Sequence, residues 1–185
     1  MFTSDSHPIR VDFIDPTHHG LPGRLGLTIA PGKQDDRWRR DLETDLKRLR
    51  EEYKTGLLVS LMEGHEYAAL RIEELFERAE QLGIEVARFQ IRDVSVPPAG
   101  AMPKFAELIG GVVAAMREGR TVVVHCRGGL GRSGVVAACA LTALGVEPSQ
   151  AIMHVREARP GAVETRAQEA WVSSFRASRG VTGAT

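Results

Sequence analysis

The stretch Thr121–Val136, TVVVHCRGGLGRSGVV, limits the fold more than any other part of the chain. It opens with a β-branched apolar run, TVVVH, of strand length. A glycine-rich loop follows, and then a run of small apolar residues from Gly131 to Leu144, long enough for a helix. A strand that is apolar at consecutive positions is buried on both faces, as in a parallel sheet covered by helices on each side. The rest of the chain alternates accordingly. VDFI and LGLTI read as weak strands. Trp38, Leu42, Leu46 and Leu49 recur at helical spacing within a predicted helix over 35–54. GLLVSLM (56–62) reads as a buried strand, 66–82 as a helix stopped by Gly83, and IEVARFQI (84–91) as a strand. After the loop RDVSVPPAG, helices are expected over 101–118, from Pro148 to Ala158, and over 164–178. The fold class is α/β, with a central, mainly parallel sheet flanked by helices.

Composition sets the outer limits. The 185 residues fit one domain spanning 1–185, with residues 1–23 expected to be irregular. Lys plus Arg and Asp plus Glu both number 24, so no global field draws the chain to nucleic acid or an anionic membrane. The basic clusters RWRR (37–40) and KRLR (47–50) read as solvated helical faces. The N-terminus lacks an apolar signal core, and no stretch is long enough to span a bilayer. The two cysteines, Cys126 and Cys139, form neither a disulfide framework nor a zinc knuckle, and a reducing cytoplasm suits them.

The glycine-rich loop admits several readings. Gly129, Gly131 and Gly134 make a formal G-x-G-x-x-G, but the acidic residue on a second strand that a dinucleotide site needs has no counterpart after the helix. A phosphate-binding loop of the nucleotide type requires Lys before Ser133, where Arg132 stands. Counting from the cysteine gives every residue a job. Backbone N–H groups of Arg127, Gly128, Gly129, Leu130, Gly131 and Arg132 can form an anion nest at a helix N-terminus. Glycines at 128, 129 and 131 are expected to supply positive φ angles. Arg132 can grip two phosphate oxygens, and the same field would favour the thiolate of Cys126. Ser133 can donate a hydrogen bond to that sulfur and ease its departure. Cys139, on the following helix, is expected to be core packing.

The motif HCRGGLGRSG resembles the signature H-C-x-x-G-x-x-R-[ST] of the cysteine-dependent protein tyrosine and dual-specificity phosphatases. LGLTIAPG, HCRGGLGRS and RPGAVETRAQEAWVSSF extend the resemblance, over roughly 24–178, to the cyclin-dependent kinase inhibitor 3, or kinase-associated phosphatase, group. That resemblance implies a sheet of about five strands. It also implies hydrolysis of phosphotyrosine, with phosphoserine or phosphothreonine as further substrates, without cofactor or metal. A phosphorylated protein would be the substrate and a kinase the partner. It makes Cys126 the nucleophile and gives His125 a hydrogen-bonding role in supporting the loop. The acid role falls on Asp93, 33 residues before Cys126 on the loop DVSVPP. Asp35, Asp36 and Glu63 are rivals for that role. The family's glutamine loop, Q-T-x-x-Q, here reads Glu164-Thr165-Arg166-Ala167-Gln168. Gln168 matches the second glutamine and is a site candidate, while Glu164 replaces the first, which places water. Three other readings stay open: a phosphatase of inositol phosphates, favoured by the extra charge of Arg127; a non-catalytic phosphoprotein binder; and a sulfurtransferase or arsenate reductase.

Overall fold

A computed structural model describes residues 1–175. In chain order its elements are β1 (Asp12–Phe13), a one-turn 3₁₀ helix (Pro16–His18), β2 (Arg24–Thr28), α1 (Leu42–Glu51), β3 (Thr55–Ser60), α2 (Gly64–Ala69), α3 (Leu75–Gln81), β4 (Glu85–Arg88), α4 (Met102–Arg117), β5 (Thr121–His125), α5 (Gly131–Ala143), α6 (Pro148–Ala158) and α7 (Arg166–Ser174). The sheet order is β1-β2-β5-β3-β4. Only β1 is antiparallel to its neighbour. The α/β architecture expected from the sequence is therefore present. No helix of the described residues is long and apolar enough to cross a membrane.

The apolar run of β5 explains its central place. Val122 and Val124 join a core that includes α4, α5, α6 and α7, while Val123 joins the opposite core with α1 and α3. Leu57 and Val59 of β3 point the first way and Leu58 the second. Alternation along each strand thus feeds two helical layers. Cys139 is fully buried among the first core's side chains, and burial pushes its thiol far up.

Several expected boundaries move, for identifiable reasons. The helix predicted over 35–54 begins only at Leu42. Asp35 Oδ1 accepts the N–H groups of Arg37 and Trp38, which turns the chain. Asp41 then caps α1 by accepting the Thr44 N–H at 2.7 Å. RWRR is therefore not a helical face. Arg40 is buried, and Asp45 accepts two hydrogen bonds from its guanidinium, each 2.7 Å. The helix predicted over 66–82 is two helices, because Arg71 turns with φ +56° and carries Ile72 inward. The strand over 84–91 ends at Arg88, although the Phe89 and Ile91 N–H groups still bond to Ser60 O and Leu61 O. The weak strand read at VDFI is β1, and residues 1–23, otherwise expected to be irregular, also bury Ile9, Val11 and Ile14. The last helix ends at Ser174, and residues 176–178 of the predicted span lie outside the described residues.

Phe105 of α4 binds this layer together. Its ring is fully buried and meets Phe89, Trp171 and Phe175 edge-on at 5.4, 6.0 and 5.6 Å. Phe105→Ala should lower stability by about 3–5 kcal/mol in a urea titration.

Candidate active site

Parallel strands put their C-terminal ends on one edge of the sheet, where open α/β folds place ligands. The candidate residues all leave that edge: Lys33 after β2, Glu66 after β3, Asp93 after β4 and Cys126 after β5. Cys126 is 3 % exposed. Its Sγ accepts the Gly129 N–H at 3.2 Å.

The loop's carbonyls are held on its outer side. Arg127 O accepts from Ala30 N–H at 3.4 Å and Lys33 Nζ at 3.5 Å. Gly128 O accepts from Arg159 Nη2 at 3.0 Å. Leu130 O accepts from Gly134 N–H at 2.8 Å and Val163 N–H at 3.4 Å. Across a trans peptide the next N–H points the opposite way. The N–H groups of Gly128, Gly129 and Gly131 therefore face the hollow above the sulfur, and α5 adds its N-terminus. Of the three glycines expected to need positive φ, only Gly129 has it, at +69°. A Cβ there would also lie 2.2 Å from Thr28 O. Gly131 is crowded instead, since a Cβ there would lie 2.8 and 2.9 Å from the two ends of the buried Gln168 amide, which hydrogen bonds hold in place.

Arg132 is 1 % exposed, and its orientation is fixed by a residue that the sequence reading used only to start a helix. Glu66, buried at the start of α2, accepts from Nη1 at 2.6 Å and from Nη2 at 2.9 Å. Ile91 O accepts from Nη1 at 3.1 Å. Nη2 also lies 2.9 Å from Asp93 Oδ1. Burial alone would lower the Arg132 pKa, but Glu66, Cys126 and Asp93 outweigh it and hold the guanidinium above its ordinary value. Burial would likewise raise the Glu66 carboxyl, yet the bonds from Arg132 and the Glu63 N–H hold it below the usual carboxylate range.

The other candidates fall into place around this pair. Asp93 is exposed at the mouth, and its rivals do not reach it: Asp35 pairs with Lys33 at 3.1 Å, Asp36 is exposed and Glu63 caps α2. Gln168 is fully buried and does more than cap α7. Its Oε1 accepts the Glu164 N–H at 2.9 Å, and its Nε2 donates to Ser95 O, on the Asp93 loop, at 3.0 Å. Glu164 stands exposed just before α7, with its carboxylate against Gly131. Ser133 Oγ is buried but makes no hydrogen bond to Sγ. His125 is fully buried against the Cys126 backbone; burial lowers its pKa to about 4, and its contact with that backbone opposes the shift. Arg127 is exposed at the rim.

Besides Glu66, the sequence reading missed Lys33 and Arg159. Arg159 bridges the Gly128 carbonyl and Asp12 of β1. A signal for Glu66 existed: a buried arginine needs a buried counter-charge, and Glu63-x-x-Glu66 sits one turn beyond a strand of the same edge.

Comparisons with known proteins place the chain in a family. The family model described as cyclin-dependent kinase inhibitor 3 matches residues 2–152. The rat protein named cyclin-dependent kinase inhibitor 3 is 30% identical over 172 residues, covering 91% of this chain and 79% of its own. The crystal structure of kinase associated phosphatase, with its catalytic-site cysteine replaced by serine, superposes with a TM-score of 0.84 at 27% identity, covering 91% of this chain and 94% of that one. Tk-PTP in its active form gives 0.67 at 30% identity, covering 88% and 92%.

Removing one partner of a buried ion pair leaves the other uncompensated. Glu66→Gln should cost about 3 kcal/mol, toward the lower end of the range for buried pairs because Asp93 remains beside Arg132. The Glu66 pKa is depressed in the folded chain, so its contribution is full at neutral pH and is lost as pH falls below the ordinary value of 4.5. Urea titrations across acidic pH should therefore show a loss in the wild type that the Gln variant lacks.

Proposed function

Because the chain belongs to the cyclin-dependent kinase inhibitor 3 family, within the protein tyrosine and dual-specificity class of phosphoric monoester hydrolases, we propose that it removes phosphate from phosphoproteins through a cysteinyl phosphate on Cys126. Phosphotyrosine is the first substrate of this reading, and phosphoserine and phosphothreonine extend it. The single observation that carries it is the Arg132 guanidinium, held by Glu66 and Ile91 O above the Cys126 loop with Asp93 at its open side.

In the first step Sγ attacks phosphorus opposite the ester oxygen, and the Sγ–P bond forms as the P–O bond breaks. The N–H groups of Gly128, Gly129 and Gly131 and the Arg132 guanidinium hold the non-bridging oxygens, as do the amides of Arg127, Leu130 and Arg132 on the same loop. Phosphate then takes Nη2 from the Asp93 carboxylate. A protonated Asp93 yields that place without repulsion and gives its proton to the leaving oxygen. In the second step Asp93 takes a proton from water, which attacks phosphorus and releases the thiolate. Ser133, buried one residue beyond Arg132 with its hydroxyl unpartnered, is the donor this reading assigns to the departing sulfur.

Gln168 acts as a positioning residue, because it ties the Asp93 loop to the segment before α7. Glu164 at the loop rim brings a carboxylate where the related enzymes place water with glutamine, so this chain relies on Asp93 to orient it. The names of the relatives point to a kinase as the phosphoprotein partner. The free thiols Cys126 and Cys139 suit the cytoplasm.

Cys126→Ser should abolish release of phenol from an aryl phosphate while tungstate binding survives; turnover in that variant would exclude the nucleophile. Asp93→Ala should cost roughly 100-fold or more with poor leaving groups and far less with good ones. Equal losses on both would remove the acid from Asp93. Gln168→Ala should reproduce that leaving-group dependence in weaker form, about tenfold, with phosphate-analogue affinity little changed. A uniform fall in tungstate affinity would instead mark Gln168 as support for the loop alone.

A further inference from the structure

A second polar cluster lies outside the reaction just described. Three of the six histidines in the chain, His18, His19 and His154, line one open cavity of about 580 Å³ together with Asp15, Arg24 and Glu157. His18 ends the 3₁₀ helix that Asp15 caps. His154 and Glu157 stand three residues apart on α6, and that spacing puts them on one helical face.

The donor atoms converge. Glu157 Oε2 lies 3.5 Å from His18 Nε2 and 3.2 Å from His154 Nδ1. One ligand atom from each of the three residues falls within 4.8 Å of the others. Bonds of about 2.0–2.2 Å to a tetrahedral cation require ligand atoms roughly 3.3–3.5 Å apart; one of these separations meets that and the other falls about 0.1 Å short of it. The imidazoles are stacked, with centroids 3.5 Å apart and planes 15° from parallel, so turning one ring in its open cavity would bring both lone pairs onto a shared ion. Two nitrogens and one carboxylate oxygen form a donor set that suits zinc-type cations.

The neighbours fit as well. His19 Nδ1 accepts the Leu21 N–H at 3.1 Å, which places its ring proton on Nε2. That Nε2 is buried and makes no hydrogen bond among the described residues, so it is a donor available to a water completing the coordination.

We propose that His18, His154 and Glu157 bind one divalent cation of the zinc type, joining the 3₁₀ helix to α6. The ion would clamp the N-terminal segment to the helix whose next turn leads to Arg159, with water in the fourth position. Arg159 in turn holds Asp12 and the Gly128 carbonyl, so the clamp braces the outer wall of the phosphate loop. The site is independent of the phosphatase reading.

The test uses the full chain without an affinity tag, carrying Cys126→Ser so that the loop thiol takes up no metal. Equilibrium dialysis against Zn²⁺ should give one ion per chain, with a saturable rise in Tm. His18→Ala, His154→Ala and the shape-preserving Glu157→Gln should each weaken binding by roughly tenfold or more. Co²⁺ should show the visible bands of a tetrahedral nitrogen and oxygen site, without sulfur-to-metal charge transfer. Absence of stoichiometric uptake, affinity unchanged in the His18→Ala/His154→Ala double variant, or a sulfur charge-transfer band would each overturn the site.

Discussion

The buried pair of Arg132 and Glu66 is the interaction on which the rest of the site depends. Both side chains are almost sealed from water, at 1 % and 5 % exposed, so neither charge tolerates loss of the other. Their paired hydrogen bonds fix the plane of the guanidinium, and Ile91 O fixes its rotation within that plane. A freely rotating arginine would bind phosphate weakly and in many poses. A clamped one presents Nη2 at one place, and Asp93 meets it there.

That pair also explains the shape of the surrounding chain. Glu66 must arrive one turn after β3, so a short α2 starts there, and the chain turns again at Arg71. Ile91 must present a carbonyl to Arg132, so the β4 ladder continues by two N–H bonds before the Asp93 loop departs. The Cys126 loop is held from outside by Ala30, Lys33, Arg159 and Val163, which come from separate parts of the chain. Preorganisation of this kind places the cost of orienting amide dipoles in folding rather than in the reaction.

Local chemistry was legible in the sequence, and long-range partnership was not. The β-branched run of β5 and the cysteine-to-arginine spacing each depend on neighbours in the chain, whereas Asp93, 33 residues away, came only from the family resemblance; the structure sets it 2.9 Å from Arg132. The family glutamine pattern drew attention to Gln168, but its bond to Ser95 O joins residues 73 apart, which periodicity does not record. Glu66 stayed hidden for the same reason, being 66 residues from its arginine. The start of α1 was misplaced because two aspartates competed to begin it, and an Asx turn at Asp35 won the first position while Asp41 took the cap. Arg40 looked solvated because its partner Asp45 lies on the opposite side of that boundary. Within residues 1–23 the weak strand VDFI was legible from its β-branched and aromatic residues, but not that Asp12 within it reaches Arg159 beside the Cys126 loop.

The central claim is that Cys126 becomes covalently phosphorylated while Arg132 holds the transferred group. Rapid acid quench of the wild-type chain during turnover of an aryl phosphate, followed by peptide mass spectrometry, tests it most directly. A phosphate adduct is expected on the peptide containing Cys126, formed at the rate of the phenol burst and absent from Cys139. Steady turnover with no adduct at any time, or with the adduct on another residue, would contradict it.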